Sequence, residues 1–359
     1  MLLVPPCFIL VSLSGSGKIR LVKQRAGSQG RVATAVSTAV MCALLGIVLL
    51  RPGNPVGTSL ANSSYDSLHN LASTPELTPQ NSPVVIIYLD LESYFAADQD
   101  PAKPWSRALH AQLVRRLQKA GARSVVFDLL FDQPARSPED NRQFAQAIRE
   151  DGRVILAAEL GSGSQESGTN EWTKTLKQLL PYEPLARAAA GWGLASLRVD
   201  DDFLVRQHFA GFARQNQPSL TGAVAQLLGL NTARANSSRW LRYYGGPLSI
   251  PHVSYHNAME VPDEFFRDKI AFIGARPIVG LFNERRDELR NPFHVQGDNR
   301  SFMPAVEVHA TQMLNLVRGD WLERLRPAWE AVCLLGVGIL FGIGLLWLRP
   351  VWATTVSVL

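Results

Sequence analysis

The stretch "GARSVVFDLLFDQP", residues 121–134, places two carboxylates four residues apart at the end of an apolar run. Asp128 follows "SVVF", and Asp132 lies in the segment beyond it. Such a pair can serve as a cation site, as a general acid and base, or as caps for the loop and helix that follow. Asp90 ends the preceding apolar run in the same way. Because ligands of open α/β sheets bind at the carboxyl ends of the strands, these acids are candidates both for ligand contact and for capping.

Two basic side chains lie on the predicted helix that leads into the second of these runs. Arg107 and His110 are three residues apart and therefore share one face of that helix. Asp128 is embedded in an apolar run, where an ionised carboxylate needs a partner. We therefore expect Asp128 to contact Arg107 or His110, either as a buried brace or beside a ligand. Asp132 lies where the chain turns towards solvent and is expected to be an exposed loop residue.

Polar side chains later in the chain suggest binding more than catalysis. Glu307 and His309 are two residues apart, which places them on one face of a strand but on different faces of a helix. The nearby sequence lacks both cysteine and the H-E-x-x-H spacing, so a zinc site is not predicted. Arg206 belongs to "RVDDDFLVR", which we interpret as a turn between strands because the calcium-loop pattern is missing. Trp105 is expected in the core or as a lid.

The sequence shows no nucleophile and base at a recognisable spacing, so catalytic activity is not predicted. We also predict neither a cofactor nor a metal. The candidate ligand-binding residues share a polar or aromatic side chain near a predicted strand end or helix start, and they are Asp90, Trp105, Arg107, His110, Asp128, Asp132, Arg206, Glu307 and His309.

Apolar runs and amphipathic segments alternate along the centre of the chain. Strands are predicted at 84–90, 124–131, 153–160, 191–199, 204–213 and 269–275. Helices are predicted at 105–120, 137–150, 184–190, 219–230 and 305–319, with a Gly/Ser-rich excursion at 161–180. This alternation predicts an α/β fold with a mostly parallel sheet and helices on both faces.

Two uncharged stretches flank this region, Val32 to Leu50 and Ala331 to Leu348. Each is near the length of about 20 residues that a helix needs to cross a bilayer. The first 31 residues hold five basic residues and no acid, which accounts for the whole formal net charge of +5. This placement argues for a cytoplasmic N-terminus by the positive-inside rule and against nucleic-acid binding. We expect the first stretch to be an uncleaved anchor, although a cleaved signal is the alternative.

Several motifs in order resemble a known family. They are Trp105, Arg107, His110 and Ala111 in the pattern W-x-R-x-x-H-A, then "AGARSVVFDLLF", "DNRQFAQAI", "DDDFLVRQ", "FFRDKIAFIGAR" and "MPAVEVHATQML". Over residues 83–320 the chain resembles the second type of CHASE domain, a sensory extracellular domain associated with cyclases and histidine kinases. Three positions depart from the family's usual pattern, because Phe203 and Ala305 replace glycine and Asn283 replaces aspartate.

The resemblance implies a sensory module of a bacterial inner (plasma) membrane protein with several membrane passes. The expected organisation is a cytoplasmic basic N-terminus at 1–31, a transmembrane helix at 32–50, a linker with at most a short helix at 51–82, an extracytoplasmic α/β sensor domain at 83–327, a transmembrane helix at 328–348 and the incomplete start of a further one at 351–359.

The expected partners are an unknown small-molecule or envelope signal, the membrane, a second copy in a homodimer, and a cytoplasmic output domain. That output would be a nucleotide cyclase, a diguanylate cyclase or a protein kinase. Two other functions stay open from the sequence, namely an exported enzyme tethered to the membrane and a scaffold that senses nothing.

Overall fold

The computed structural model describes residues 28–49, 54–72, 76–101, 103–166, 172–212, 217–231, 239–276, 288–293 and 302–347. The chain divides into two compact units, and each is described by itself. The first comprises Met1–Ala61 with Leu325–Leu359, and the second comprises Asn62–Arg324.

The first unit contains two packed helices, α1 (Ser28–Leu49) and α9 (Pro327–Trp347). They approach closely at Gly338, where an added Cβ would lie 3.1 Å from the carbonyl oxygen of Ala39. The predicted spans at 32–50 and 328–348 fall on these helices. Within the described part of the chain, no helix is both long and apolar enough to span a membrane. The further span expected at 351–359 lies outside the described residues.

The second unit contains most of the regular structure. Its helices are α2 (Pro55–Leu71, which begins in the first unit), α3 (Leu91–Ala96), α4 (Arg107–Lys119), α5 (Pro138–Asp151), α6 (Glu183–Ala188), α7 (Leu220–Leu227) and α8 (Ala305–Arg318). Its strands are β1 (Val84–Leu89), β2 (Ser124–Leu130), β3 (Val154–Glu166), β4 (Trp172–Leu179), β5 (Gly191–Leu194), β6 (Gly211–Phe212), β7 (Gln217–Pro218), β8 (His252–Ser254), β9 (Ile270–Ala275), β10 (Glu288–Arg290) and β11 (Phe302–Pro304).

The main sheet confirms the predicted fold class. Its parallel strands follow the order β5-β3-β2-β9-β1-β8, and β4 pairs antiparallel with the distal part of β3. The whole of β1 is buried, as expected for a central strand covered on both faces. One face packs against α4 and α5, and the other packs against α7 and α8.

Local sequence signals explain where several helices begin and end. Ser137 caps α5 by accepting a hydrogen bond from the backbone N–H of Asp140 at 3.3 Å. After α4 the chain turns at Gly121 with φ of +77°, a backbone conformation that favours glycine. Both signals agree with the predicted helices.

Three predictions about secondary structure are wrong. The linker at 51–82 contains the 17-residue α2, whose Tyr65 and His69 are buried in the second unit. In the Gly/Ser-rich excursion predicted at 161–180, residues 161–166 and 172–179 are paired strands of the β3–β4 hairpin. The strand predicted at 204–213 is reduced to isolated bridges and the two-residue β6, because the segment pairs with short irregular stretches. In each case long-range contacts outweigh local composition.

Candidate functional site

Three neighbouring strands end side by side at the carboxyl edge of the sheet. Tyr88 of β1 and Asp128 of β2 both pair in register with Gly274 of the intervening β9. The first turn of α8 packs over this edge, since an added Cβ on Gly274 would lie only 2.6 Å from Cβ of Val306. The first residues of α8 are thereby brought among the side chains at the strand ends.

Glu307 in the first turn of α8 is almost completely buried and is held by two donors. The hydroxyl of Tyr88 donates to Oε1 at 2.7 Å, and the backbone N–H of Leu248 donates to Oε2 at 3.0 Å. Leu248 has φ of +67°, which a leucine rarely adopts. Burial raises the pKa of Glu307 to about 7, although both hydrogen bonds and the charge of Arg276 act in the opposite direction.

His309 lies on another face of α8 and approaches Asp128. Its Nε2 lies 3.2 Å from the carbonyl oxygen of Ala195 and 3.8 Å from Oδ1 of Asp128. Because a carbonyl can only accept, Nε2 carries the proton in the contact with Ala195. Nδ1 of His309 is buried without a hydrogen-bond partner among the described residues. The structure thus brings together Asp128 and His309, two residues that the sequence had placed in separate groups.

The predicted contact of Asp128 with Arg107 or His110 is wrong. Successive residues of a strand face opposite sides of the sheet. Phe127 points towards α4, where its ring lies 5.3 Å from the ring of His110. Asp128 therefore faces the other side and meets His309 of α8.

Arg107 is instead a brace at the start of α4. Its guanidinium donates to the carbonyl of Gln133 and to the side-chain oxygen of Asn141, and it stacks 5.5 Å from the ring centre of Phe131. Burial lowers the pKa of Arg107. These contacts attach α4 to the loop after β2 and to the start of α5. Asp132 lies in the same loop but is only half exposed, and its carboxylate accepts from the side chain of Gln133.

His110 and Trp105 belong to the interior on the α4 side of the sheet. Nδ1 of His110 lies 2.9 Å from the hydroxyl of Tyr255. Burial, assisted by the charge of Arg107, lowers the pKa of His110 to about 3, so the ring is neutral at physiological pH. The indole of Trp105 lies edge-on to Tyr94 and Tyr255 at 4.9 and 5.0 Å. Of the two alternatives for Trp105, core and lid, this packing favours the core.

Asp90 acts as the N-cap of α3. Its carboxylate accepts from the backbone N–H of Ser93 at 3.0 Å and from the hydroxyls of Ser93 and Ser254. Burial raises the pKa of Asp90, but these hydrogen bonds outweigh burial and hold the pKa below its ordinary value. Of the two roles proposed for this residue, capping is the one that its contacts explain.

Arg206 is almost completely buried and joins α2 to the predicted turn. Its guanidinium donates to the carboxylates of Asp66, Asp200 and Asp202 at 2.7 to 2.8 Å. Burial lowers the pKa of Arg206, but the three carboxylates outweigh burial and raise it above its ordinary value. Phe203 in the same turn is exposed and has φ of +65°, which accounts for glycine as the usual residue of the resembled family at this position.

Sequence reasoning missed several contributors to the site. Tyr88 could have been found, because a hydroxyl within a wholly apolar strand needs a partner. The backbone donor of Leu248 could not, since it depends on a loop conformation.

Asn283 lies outside the described residues. Within the described ranges no group of three or more His, Cys, Asp and Glu side chains could hold a metal ion. The carboxylates, imidazole and hydroxyl at this edge are suited to binding polar groups.

We expect Asp128→Ala to destabilise the protein by about 1–3 kcal/mol, because it removes a shielded acceptor beside His309. Asp132→Ala is the matched control and should cost less than about 0.5 kcal/mol, since its side chain lies in a loop. Thermal unfolding of the purified chain, followed by tryptophan fluorescence, measures both. Equal and small effects would mean that Asp128 only terminates the strand.

The stability of the chain should depend on the ionisation of Glu307. Its pKa is raised from 4.5 to about 7 in the folded protein, so folding favours the protonated form. This residue's contribution is therefore fully present below about pH 4.5 and decreases as the pH rises to about 7, by up to about 3 kcal/mol. Glu307→Gln should remove this decrease when unfolding is measured across that range. An unchanged difference between variant and wild type at all pH values would contradict the assignment.

Comparison with known proteins places these features in a family. The model of the CHASE2 domain matches residues 39–345, which is most of the chain. No curated protein and no solved structure matches this chain. The matched range includes both the strand ends and the helix that covers them. The chain therefore belongs to the CHASE2 domain family, whose members are extracellular sensory domains.

Proposed function

We propose that this chain is a membrane-anchored extracytoplasmic sensor that changes the arrangement of its flanking helices when a stimulus binds. Membership of a family of extracellular sensory domains supports this function. The two uncharged stretches on either side of the domain and the basic N-terminus support the membrane placement. The proposal rests on a short segment, residues 239–244. This segment contacts both α2, which follows the first uncharged stretch, and residues 320–323, which precede the second. We call this segment the bridge.

The bridge first holds the incoming helix α2. The hydroxyl of Tyr65 donates to the carbonyl of Leu241 at 2.7 Å, and the backbone N–H of Tyr243 donates to Nε2 of His69 at 3.2 Å. The rings of Tyr65 and Trp240 lie 5.2 Å apart. Because α2 follows α1 along the chain, this face of α2 is where the sensor domain can act on the first flanking helix.

The bridge also holds the outgoing segment at 320–323. Trp240 and Leu322 exchange two backbone hydrogen bonds, at 3.2 and 2.9 Å. The hydroxyl of Tyr244 donates to the carboxylate of Asp320 at 2.7 Å, and Arg239 forms an ion pair with Glu323. This segment leads directly into α9.

The helix α8 links the bridge to the candidate site. Its Glu307 and His309 lie at the strand ends, and its Asn315 binds both the N–H and the carbonyl of Arg242, at 2.9 and 3.0 Å. A ligand that prefers one position of α8 would thereby bias the bridge and both chain segments attached to it. The size of the response is limited by the difference in ligand affinity between the two arrangements.

The topology can be tested with a reporter inserted at residue 165, in the β3–β4 hairpin. Because the basic residues precede the first uncharged stretch, a periplasmic alkaline phosphatase should be active there and a cytoplasmic fluorescent protein should be dark. A fluorescent cytoplasmic reporter would contradict the orientation and with it the sensory function.

The transmission can be tested in a fusion that places a diguanylate cyclase domain after residue 350. Tyr65→Phe removes the hydroxyl that binds the bridge and should change the cellular level of cyclic di-GMP. Tyr94→Phe makes the same chemical change on α3, away from the bridge, and serves as the control. Identical output from wild type and both variants, at equal protein levels, would contradict transmission through the bridge.

A further inference from the structure

Three unpaired polar atoms, which we call the strip, belong to α8 and to the segment 204–208. Five buried side-chain atoms in the described ranges have no hydrogen-bond partner, and three of them are Nδ1 of His208, Nδ1 of His309 and Nε2 of Gln312. All three side chains are at most 4% exposed. Native proteins rarely leave such groups unsatisfied, so each of the three atoms calls for a partner outside the chain.

The three residues lie on neighbouring elements. His309 and Gln312 are three residues apart on α8 and are therefore neighbours on its surface. The segment of His208 runs alongside, since Leu204 and Val205 pack with Val308 in one apolar cluster. Burial lowers the pKa of His208 to about 4, with a smaller contribution from the nearby His309. His208 is consequently neutral at physiological pH.

The hydrogen-bonding capacity of the strip restricts what can bind there. Nε2 of Gln312 can only donate. Nε2 of His309 already donates to Ala195, which leaves Nδ1 as the ring nitrogen that a ligand can pair with. An ammonium group cannot accept from Gln312, and an anion would lie beside the carboxylate of Asp128, which is 3.8 Å from His309. A hydroxyl group both donates and accepts, and it therefore satisfies every atom of the strip.

We propose that the space between α8 and the 204–208 segment binds a neutral molecule with several hydroxyl groups, such as a polyol or a sugar. Successive hydroxyls on one carbon chain or ring would reach His309, Gln312 and His208 in turn. Ordered water is the competing occupant, because water has the same capacity to donate and accept. This inference concerns binding alone and does not depend on the sensory function, which is measured separately through the cyclase fusion.

The test is a titration of the full chain in detergent with ¹⁵N-labelled histidine. Glycerol, myo-inositol and glucose are each added to millimolar concentration while the imidazole nitrogens are observed by long-range ¹H–¹⁵N spectra. At least one probe should shift Nδ1 of His208 and of His309 in a saturable manner. A general effect of excluded co-solvent does not saturate and is distinguished in this way. The fully O-methylated inositol, which cannot donate, should cause no such shift.

Gln312→Met keeps the volume of the side chain and removes the donor, so it should weaken binding by about tenfold. Gln226→Met changes an exposed glutamine on α7 and should leave binding unchanged. The absence of a saturable shift with all three probes would show that water alone fills the strip. Equal affinity in wild type and Gln312→Met would place the bound molecule elsewhere. If Gln312→Met does not fold, the comparison of inositol with its O-methylated form still decides whether hydroxyl groups are bound.

Discussion

The contact of α8 with Gly274 is the constraint on which the candidate site depends. Only a residue without a side chain allows Val306 to approach β9 so closely, since an added Cβ would overlap it at 2.6 Å. This approach places Glu307 against Tyr88 on one side and His309 against Asp128 on the other. A larger residue at 274 would push α8 outwards and would separate both pairs at once.

The transmission that we propose between the two ends of the domain depends on the buried position of α8. Its residues 306–315 are all buried, so a helix of this kind cannot shift at one end without repacking its surroundings at the other. The side chain of Asn315 holds the bridge by two hydrogen bonds to the backbone of Arg242, and the bridge in turn pairs with Leu322 and accepts from Tyr65. Packed elements of this kind tend to have discrete alternative arrangements, which suits a sensor.

Much of the fold could be predicted from the sequence because its signals are local. The apolar run of β1 and the cap of α5 at Ser137 lie in the same stretch as the element that they specify. The partner of Asp128 could not be predicted from neighbouring residues in the sequence. The register of β2 in the sheet decides which face of the sheet Asp128 lies on. Likewise, α2 has a polar composition and owes its place to distant partners such as Leu241. Both failures concern contacts between residues far apart in the chain.

The turn at residues 200–203 has a consequence for how this sequence can have diverged from its family. Phe203 occupies a backbone conformation that costs a bulky residue about 1–3 kcal/mol, and it does so beside the three carboxylates gathered by Arg206. A turn held by that many charged hydrogen bonds can absorb the unfavourable residue. The order of substitutions is therefore restricted, because the loss of Arg206 is more damaging in a chain that already carries phenylalanine than in one that carries glycine. Positions 203 and 206 should accordingly behave as an epistatic pair.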